Sequence, residues 1–193
     1  MKNINFLLTL NVGKENNMSY SFPIRLYKYF NYYLNASNRK GHGVHSPFVF
    51  NFITAVLNSK ELSQETGNFN KYRALVNCMI SFFKPSAIME FEASLNYSHA
   101  LKEIDGAETI GLVYIKQNKN VVCAQAYFDH LINKVNSHSI LIFEGIHLSK
   151  EMEASWEKMK SDINVKLSID LFHLGILFFR QEQLEKENFT ICF

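Results

Sequence analysis

Apolar residues recur at steps of three and four along the first half of the chain, which is the spacing of a helix with one apolar face. In the segment 23–34 aromatic and aliphatic side chains carry this pattern: Leu26, Tyr29, Phe30 and Tyr33. Ser46 and Pro47 predict the start of a second helix, with the hydroxyl as N-cap and proline at the first helical position. A third helix is predicted over 71–83 and ends before Pro85.

After this proline, short apolar runs alternate with amphipathic segments, which indicates βαβ units and a mostly parallel sheet. Strands are predicted at 87–91, 109–115, 139–143, 165–172, 175–180 and 189–193. Helices are predicted at 95–104, at 121–135 and after Ser149, whose hydroxyl should cap the third of them. So few residues separate 165–172 from 175–180 that we expect these two strands to form an antiparallel hairpin.

These elements predict an α/β fold with a helical N-terminal arm. We divide the chain into an extension over 1–17, the helical arm over 18–84 and an α/β domain over 85–193. In that domain the first three strands should lie side by side in chain order, followed by the antiparallel pair, with helices on both faces of the sheet.

Composition narrows the expected partners and location. The 193 residues include 20 Lys and Arg against 18 Asp and Glu, so no strong field directs the chain to nucleic acid or to an anionic membrane. Cys78, Cys123 and Cys192 lack the paired spacing of a zinc site or a disulfide framework, which favours reduced thiols. No apolar run approaches the roughly 18 residues of a membrane span. We therefore expect a soluble cytoplasmic protein without a metal site.

Two parts of the sequence point to a known family. Residues 39–50, which contain Gly-His-Gly-Val-His-Ser-Pro-Phe-Val-Phe, resemble the N-terminal signature of a methyltransferase-like family common in Bacteroidetes. The C-terminal half keeps that family's order and spacing at 139–152, Trp156, 169–172 and 175–180. The chain is thus similar to bacterial class I S-adenosylmethionine (SAM) methyltransferases, which implies a Rossmann-like sheet and SAM as cofactor. Because the family begins near the equivalent of Met18, residues 1–17 are expected to be an extension that is not native.

The resemblance implies a cofactor site after the first strand, where the family has an acidic residue and then a glycine-bearing turn. Glu90 matches the acidic position, and Ser94 lies in the turn. Glu92 and Asn96 stand where the family has glycines, and the Glu92 carboxylate would crowd SAM and repel its carboxylate. We interpret Glu90, Glu92 and Ser94 as vestigial cofactor-binding residues.

The length of the chain after the first strand departs from the family as well. The family places two further strands, one of which ends in the acidic residue that holds the ribose, between its first strand and the one that 109–115 resembles. Each βα unit needs roughly 30 residues, whereas the chain between Glu90 and Thr109 has room for one helix. We expect both strands to be missing, which would leave the first strand at or near a sheet edge.

The end of the third strand carries the candidate catalytic residues. The family typically has two aspartates there, whereas this chain has Glu144 and Gly145, and it retains His147. Glu144 and His147 lie just beyond the C-terminal end of a strand, where open α/β sheets bind ligands. They are either an acid-base or metal-binding pair, or relics that hydrogen-bond the following loop.

A second candidate site lies in the glycine-containing loop before the predicted helix start. His42 and His45 are close to Arg39 and Lys40, a grouping that could hold an anion. The alternative is that this loop only packs over the sheet.

On these grounds we expect a degenerate SAM methyltransferase-like protein without turnover, which acts as a binding or assembly module for a small molecule or a protein. The alternative is an active SAM-dependent methyltransferase with atypical cofactor binding, in which Glu90 and Glu144 remain as site residues. A third alternative is a shortened fragment kept soluble by homodimerisation over its exposed sheet edge. Three tyrosines fit core packing or a dimer contact better than base stacking, since no basic stripe accompanies them: Tyr29, Tyr32 and Tyr33.

Overall fold

The computed structural model of the protein describes residues 19–37, 45–64, 68–92, 98–116, 124–183 and 185–193. The helices in these ranges are α1 (Phe22–Asn35), α2 (Pro47–Phe52), α3 (Lys60–Gln64), α4 (Asn68–Phe83), α5 (Ser98–Gly106), α6 (Ala124–Leu131) and α7 (Lys150–Ser161). The strands are β1 (Ile88–Glu92), β2 (Ile110–Lys116), β3 (Val135–Glu144), β4 (Leu167–Asp170), β5 (Leu174–Phe178) and β6 (Glu187–Thr190). A π-helical segment, Ile53–Leu57, continues α2.

The strands form one mixed sheet in the order β1-β2-β3-β5-β4-β6. β5 runs antiparallel to both of its neighbours, β3 and β4, whereas the pairs β1-β2, β2-β3 and β4-β6 are parallel. This confirms an α/β fold with a mostly parallel sheet and an antiparallel C-terminal hairpin. The returning strand of the hairpin inserts between β3 and β4. In the described residues β1 is the terminal strand of the order, as the short connection to β2 predicts.

Helices cover both faces of the sheet, and the helices on each face come from a different part of the chain. The crossover helices α5 and α6 lie on one face together with α7, because right-handed connections that step in one direction along a sheet place their helices on one side. The other face packs against the N-terminal helices α2 and α4. Side chains alternate between the two cores with the period of two that strands require: Leu112 and Tyr114 face the N-terminal helices, and Val113 and Ile115 face the crossover helices.

The boundary between α6 and β3 is the largest difference from the predicted elements. The predicted helix over 121–135 extends too far, because α6 ends at Leu131 and Val135 already begins β3. Val135 pairs with Ile110, whereas the next partners, Leu112 and Ile140, lie in a shifted register. The Ser139 hydroxyl bridges this irregular segment, since it accepts from Asn136 N at 2.8 Å and donates to the Ile110 carbonyl. Val135 therefore continues the helical spacing of the preceding apolar residues only by coincidence, because it lies in a strand.

The two predicted capping serines behave differently. Ser149 caps α7 as predicted, and its hydroxyl accepts from Met152 N at 3.2 Å. Ser46 occupies the N-cap position of α2, and Pro47 follows it as predicted, but the Ser46 side chain makes no capping hydrogen bond. The predicted role of that hydroxyl is therefore wrong. The start of α2 depends instead on the proline, which fixes a helical φ and lacks the N–H that would need a partner.

Backbone hydrogen bonds fix α1 at both of its ends. Before α1, Tyr20 N donates to the Leu148 carbonyl at 2.8 Å. After α1, Ser37 N donates to the Thr190 carbonyl at 2.8 Å, and Cys192 N donates to the Ser37 carbonyl at 3.0 Å. These bonds place α1 beside the ends of β3, β4 and β6, which is where the candidate site lies.

Candidate functional site at the carboxyl edge of the sheet

Charged side chains end four parallel strands on one edge of the sheet. β1 ends at Glu92, β2 at Lys116, β3 at Glu144 and β4 at Asp170. The carboxyl ends of parallel strands meet at a common edge, which is where open α/β sheets bind their ligands. This edge therefore contains the predicted cofactor acids and the predicted catalytic residues together.

At the β1 and β2 end of this edge the charges are paired on an open surface. Glu90 accepts a hydrogen bond from Lys116, and about half of the Glu90 side chain is exposed. Glu92 is exposed and lies opposite Lys116 in the ladder. Lys116, the last residue of β2, thus pairs with the acid that was predicted to bind SAM. Ser94 lies outside the described residues.

Glu144 is half-buried and accepts a hydrogen bond from the Tyr114 hydroxyl at 3.3 Å. Burial, and next the charge of Glu144, raise the pKa of Tyr114, so that the phenol remains a protonated donor. Glu144 therefore holds a structural hydrogen bond at the end of β3. His147, the other half of the predicted pair, has different partners.

Both nitrogens of His147 lie against carboxylates. Nδ1 is 3.0 Å from Glu153 Oε1, and Nε2 is 2.7 Å from Asp170 Oδ2. An imidazole can donate from both nitrogens only when it is protonated. Burial opposes protonation, but the hydrogen bonds and charges of Asp170 and Glu153 outweigh it and raise the pKa of His147. The ring also stacks on Phe172, with centroids 5.2 Å apart.

The two carboxylates are held in turn by other groups. Glu153 accepts from Lys28 Nζ at 2.9 Å and from the Tyr20 hydroxyl at 2.8 Å. Burial opposes ionisation of Glu153, but these bonds and the one from His147 lower its pKa. Asp170 is buried, and its Oδ1 accepts from Phe172 N at 2.8 Å. We call the connected set the His147 network: Tyr20, Lys28, His147, Glu153 and Asp170.

Two backbone positions with positive φ shape the loops around the His147 network. Phe172 has φ 68°, a left-handed conformation that is rare for an aromatic residue, and Gly145 has φ 77°. Gly145 N donates to the His173 carbonyl at 2.6 Å, which joins the two loops. The Asp170 bond to Phe172 N compensates for part of this strain. Glycine at 145 lets the chain turn directly after Glu144, and the turn carries His147 to its partners on β4 and α7.

A cleft of about 340 Å³ lies between α1 and the His147 network. Its walls are mostly polar or aromatic, and they include Tyr27, Asn31, Asn35, Phe172 and Thr190. Lysine, imidazole and two carboxylates line it together, so its charges are balanced by pairs within its own wall. This cleft can admit a small polar molecule, but the network offers it no unpaired charge.

His173 has the opposite electrostatic environment from His147. Burial, and next the positive charges of Arg25, His147 and Lys71, lower the pKa of His173 to about 4. Its ring packs against Tyr72, with centroids 5.3 Å apart, and lines a separate cleft of about 380 Å³. The surroundings of His173 therefore favour the neutral ring, whereas those of His147 favour the protonated one.

The His147 network is not arranged as a metal site. Glu153 and Asp170 contact opposite edges of the imidazole ring and so do not converge on one point. Throughout the described ranges, no group of three or more His, Cys, Asp and Glu side chains is placed to hold a metal ion.

The predicted anion site lies elsewhere. His45 lines a cleft of about 490 Å³ beyond the end of β5 and the start of β6, away from the carboxyl ends of the parallel strands. Arg180 contributes to this cleft and packs over the Phe48 ring at 4.0 Å, but three carboxylates also line it: Glu182, Glu185 and Glu187. Among the described residues these charges disfavour an anion. His42 lies outside the described residues, as do Arg39 and Lys40, so the anion site stays a prediction.

Sequence reasoning missed most of the His147 network. Asp170 carried a usable signal, because it is a carboxylate at the end of a predicted strand region. Lys28 and Tyr20 carried none, since they lie 125 and 133 residues from Glu153 in the chain. Their pairing follows only from the position of α1.

No protein-family model, curated protein or solved structure matches the chain. None of the helices in the described ranges combines the length and the apolar character that crossing a bilayer requires.

Proposed function

We propose that the protein is a degenerate SAM methyltransferase-like domain that lacks turnover and acts as a binding or assembly module. The observation that carries the proposal is the strand order. Doubly wound sheets bind nucleotide cofactors in the crevice where the strand order reverses direction. In the described residues β1, β2 and β3 progress in one direction from the sheet edge, so no such crevice opens beside β1.

The residues at the end of β1 do not fit SAM. The pairing of Glu90 with Lys116 neutralises the acid that would bind the cofactor's amino group. Glu92 adds a second carboxylate where SAM would bring its own, and like charges at close range repel. Both acids are exposed, whereas a pocket that holds a nucleoside must bury most of its surface.

The candidate catalytic residues support the same conclusion. A general base needs a free nitrogen within hydrogen-bond reach of its substrate. Both His147 nitrogens face carboxylates of the chain itself, and the hydrogen bonds and charges of these carboxylates raise the pKa of the ring, which favours its protonated form. The His147 network therefore joins α1, α7 and β4, which is a structural role suited to a module that binds or assembles.

Calorimetric titration of the full chain with SAM, and separately with S-adenosylhomocysteine, tests the loss of the cofactor. We expect no heat of binding above that of dilution for either compound. Glu90→Ala serves as the matched variant, because it removes the acid that the family uses and should leave the titration unchanged. Micromolar binding by the parent chain that Glu90→Ala abolishes would contradict the proposal and favour the active alternative.

A further inference from the structure

The helix α1 has its polar side turned toward the protein. On that side Lys28 bonds to Glu153, and Asn31 and Asn35 line the cleft above the His147 network. Tyr32 is the buried residue of α1, and its hydroxyl donates to the Ile191 carbonyl. A surface helix ordinarily presents charged and polar groups to water. In α1 this arrangement is reversed.

Apolar side chains occupy the opposite side of α1. We call this side the outer face, and its six members are between 57% and 75% exposed: Phe22, Leu26, Tyr27, Phe30, Tyr33 and Leu34. Tyr27 lies at the border of this face, where it also lines the cleft above the His147 network. Phe22, Leu26 and Phe30 follow at steps of four and make one continuous stripe along the helix. None of the six is charged. The outer face is thus an uninterrupted apolar strip on a helix whose position is fixed at both ends.

The size of the outer face indicates an interface. Aromatic side chains bury about 150–250 Å² each, so the exposed fractions of these six residues amount to on the order of 700 Å². The largest apolar patch of a typical monomer is about 300–600 Å². A stable interface of standard size buries about 800 Å² on each partner. Two copies of the outer face packed together would approach that size.

The chemistry of the outer face selects a second copy of the chain over a lipid surface. A helix that lies on a membrane carries basic residues along its polar side, where they meet anionic headgroups. Neither basic residue of α1 lies beside the outer face in this way. Lys28 is turned inward and paired with Glu153. Arg25 is exposed but precedes the buried Tyr32 by seven residues, so it lies on the same side of α1 as Tyr32, and its charge acts on His173. A strip without charges can meet an identical strip about a twofold axis without burying an unpaired ion.

The edge of β1 is a poorer docking surface than the outer face. Glu90 and Glu92 alternate along this edge strand and are both exposed. Charges on an edge strand are the usual protection against pairing with another strand. Homodimerisation over the sheet edge is thus disfavoured, whereas the outer face carries no such protection.

We infer that the protein is a homodimer in which the outer faces of two α1 helices pack against each other about a twofold axis. This inference deepens the assembly role proposed above and does not depend on the loss of SAM binding. Dimer mass and calorimetric heat are separate measurements, so either proposal can fail while the other stands. In such a dimer the His147 network, which holds α1 against the rest of each copy, would fix how the two copies are oriented.

Light scattering coupled to size-exclusion chromatography of the full chain at tens of micromolar tests the inference. We expect twice the chain mass of 22.4 kDa. Leu26→Asp with Phe30→Asp should weaken the dimer by at least about 100-fold, because each charge would be buried without a partner. Ile163→Asp is the matched control, since Ile163 is 80% exposed and lies outside α1. It should leave the dimer intact.

Circular dichroism of each variant establishes that its fold is retained, and Leu26→Gln with Phe30→Gln replaces the aspartate pair if that variant unfolds. A monomeric parent chain would overturn the inference. Co-sedimentation of that monomer with phosphatidylglycerol vesicles would then assign the outer face to lipid. A dimer that survives the α1 substitutions and dissociates on Ile88→Asp would place the interface at the β1 edge and also overturn it.

Discussion

The two ends of the carboxyl edge contain similar residue types in different surroundings. At the ends of β1 and β2, Glu90 and Lys116 pair on an open surface. At the ends of β3 and β4, the His147 network joins three regions of the chain, and Asp170 within it is buried. Exposed ion pairs contribute little to stability, whereas removal of one partner from a buried pair costs several kcal/mol. The first end is therefore surface, and the second end holds the structure together.

This difference bears on how well each end of the edge tolerates a change of residue. The acids near β1 are exposed and form few contacts, so we expect substitutions there to have little effect on stability. The groups near β4 satisfy one another, and a change in one leaves others without partners. The experiments below compare how strongly stability depends on residues at the two ends of the edge and in the helices and strands next to them.

Asp170→Ala should have the largest effect on stability. The substitution removes the partner of His147 Nε2 and the acceptor for Phe172 N, and it leaves both donors in a partly dry environment. We expect a loss of about 2–4 kcal/mol in the free energy of unfolding. Urea denaturation followed by circular dichroism measures it.

Asp170→Asn is the matched control for this change. Its amide oxygen can still accept from Phe172 N, but it carries no charge to hold the His147 imidazolium. The loss should be roughly half of that in the alanine variant. Equal stability of the parent and Asp170→Ala would show that the His147 network does not stabilise the fold.

Gly175→Ala should have the next largest effect. Gly175 lies in β5 opposite Asp170, and a Cβ there would come within 2.7 Å of Trp156 Cη2 and 2.9 Å of Ile146 Cγ2. Trp156 is buried and cannot move aside freely, so we expect a loss of about 1–3 kcal/mol from overpacking. Thermal unfolding should show the midpoint lowered by several degrees.

Gly106→Ala provides the control on the β1 side of the molecule. Gly106 ends α5, and no atom lies within 4 Å of the Cβ that alanine would add. Alanine is the better helix former by about 1 kcal/mol, so this variant should be as stable as the parent or slightly more stable. A Gly175→Ala variant that is equally unaffected would mean that Trp156 has room to shift.

The elements of the sheet could be predicted more fully than the site. The run that forms β2 is apolar on both faces and bounded by polar residues, so the sequence predicts it within one residue. The insertion of β5 between β3 and β4 has no sequence signal, because a hairpin pattern does not indicate which of its two strands pairs with the rest of the sheet. The periodicity of α1 predicts an apolar face, but the bonds of Tyr20, Lys28 and Ser37 decide that this face points outward.

The predicted pairing of Glu144 with His147 shows why the site was harder to predict. The two residues are close in sequence, but Gly145 turns the chain between them and His147 meets Asp170 on another strand. Sequence proximity identified the correct loop and not the partners. Contacts between distant segments depend on how α1 and α7 pack, and no local sequence pattern indicates that packing.

A change of pH should have a smaller effect that is specific to the His147 network. The raised pKa of His147 means that its contribution is complete below its ordinary value of 6.5 and is lost as pH rises through the folded pKa. The lowered pKa of Glu153 means that its contribution is complete above 4.5 and is lost as pH falls through the folded pKa. The loss of stability in the His147→Gln variant, relative to the parent, should therefore be largest between pH 4.5 and pH 6.5.

His173→Gln gives the opposite dependence and so serves as the control. Because the pKa of His173 is lowered to about 4, its neutral form stabilises the fold above 6.5, and this contribution is lost as pH falls from 6.5 towards 4. The stability difference between the parent and His173→Gln should therefore grow with pH over that range. Urea denaturation at several pH values measures both differences. A His147→Gln deficit that does not change with pH would show that the ring is not held as an imidazolium.

Two lysine-glutamate pairs should show the smallest effects, and they test the difference between the two ends of the edge most directly. Double-mutant cycles with Lys116→Met and Glu90→Gln, and with Lys28→Met and Glu153→Gln, measure the coupling energy of each pair by urea denaturation. The Glu90 side chain is 51% exposed and the Glu153 side chain 23% exposed, so water screens the first pair far more. We expect a coupling below about 0.5 kcal/mol for Lys116 and Glu90, and about 1 kcal/mol or more for Lys28 and Glu153. Salt at 0.5 M should remove the first coupling and leave most of the second, since partly buried charges are less screened. Equal couplings would mean that both ends of the edge are surface, and that α1 is held by its backbone bonds alone.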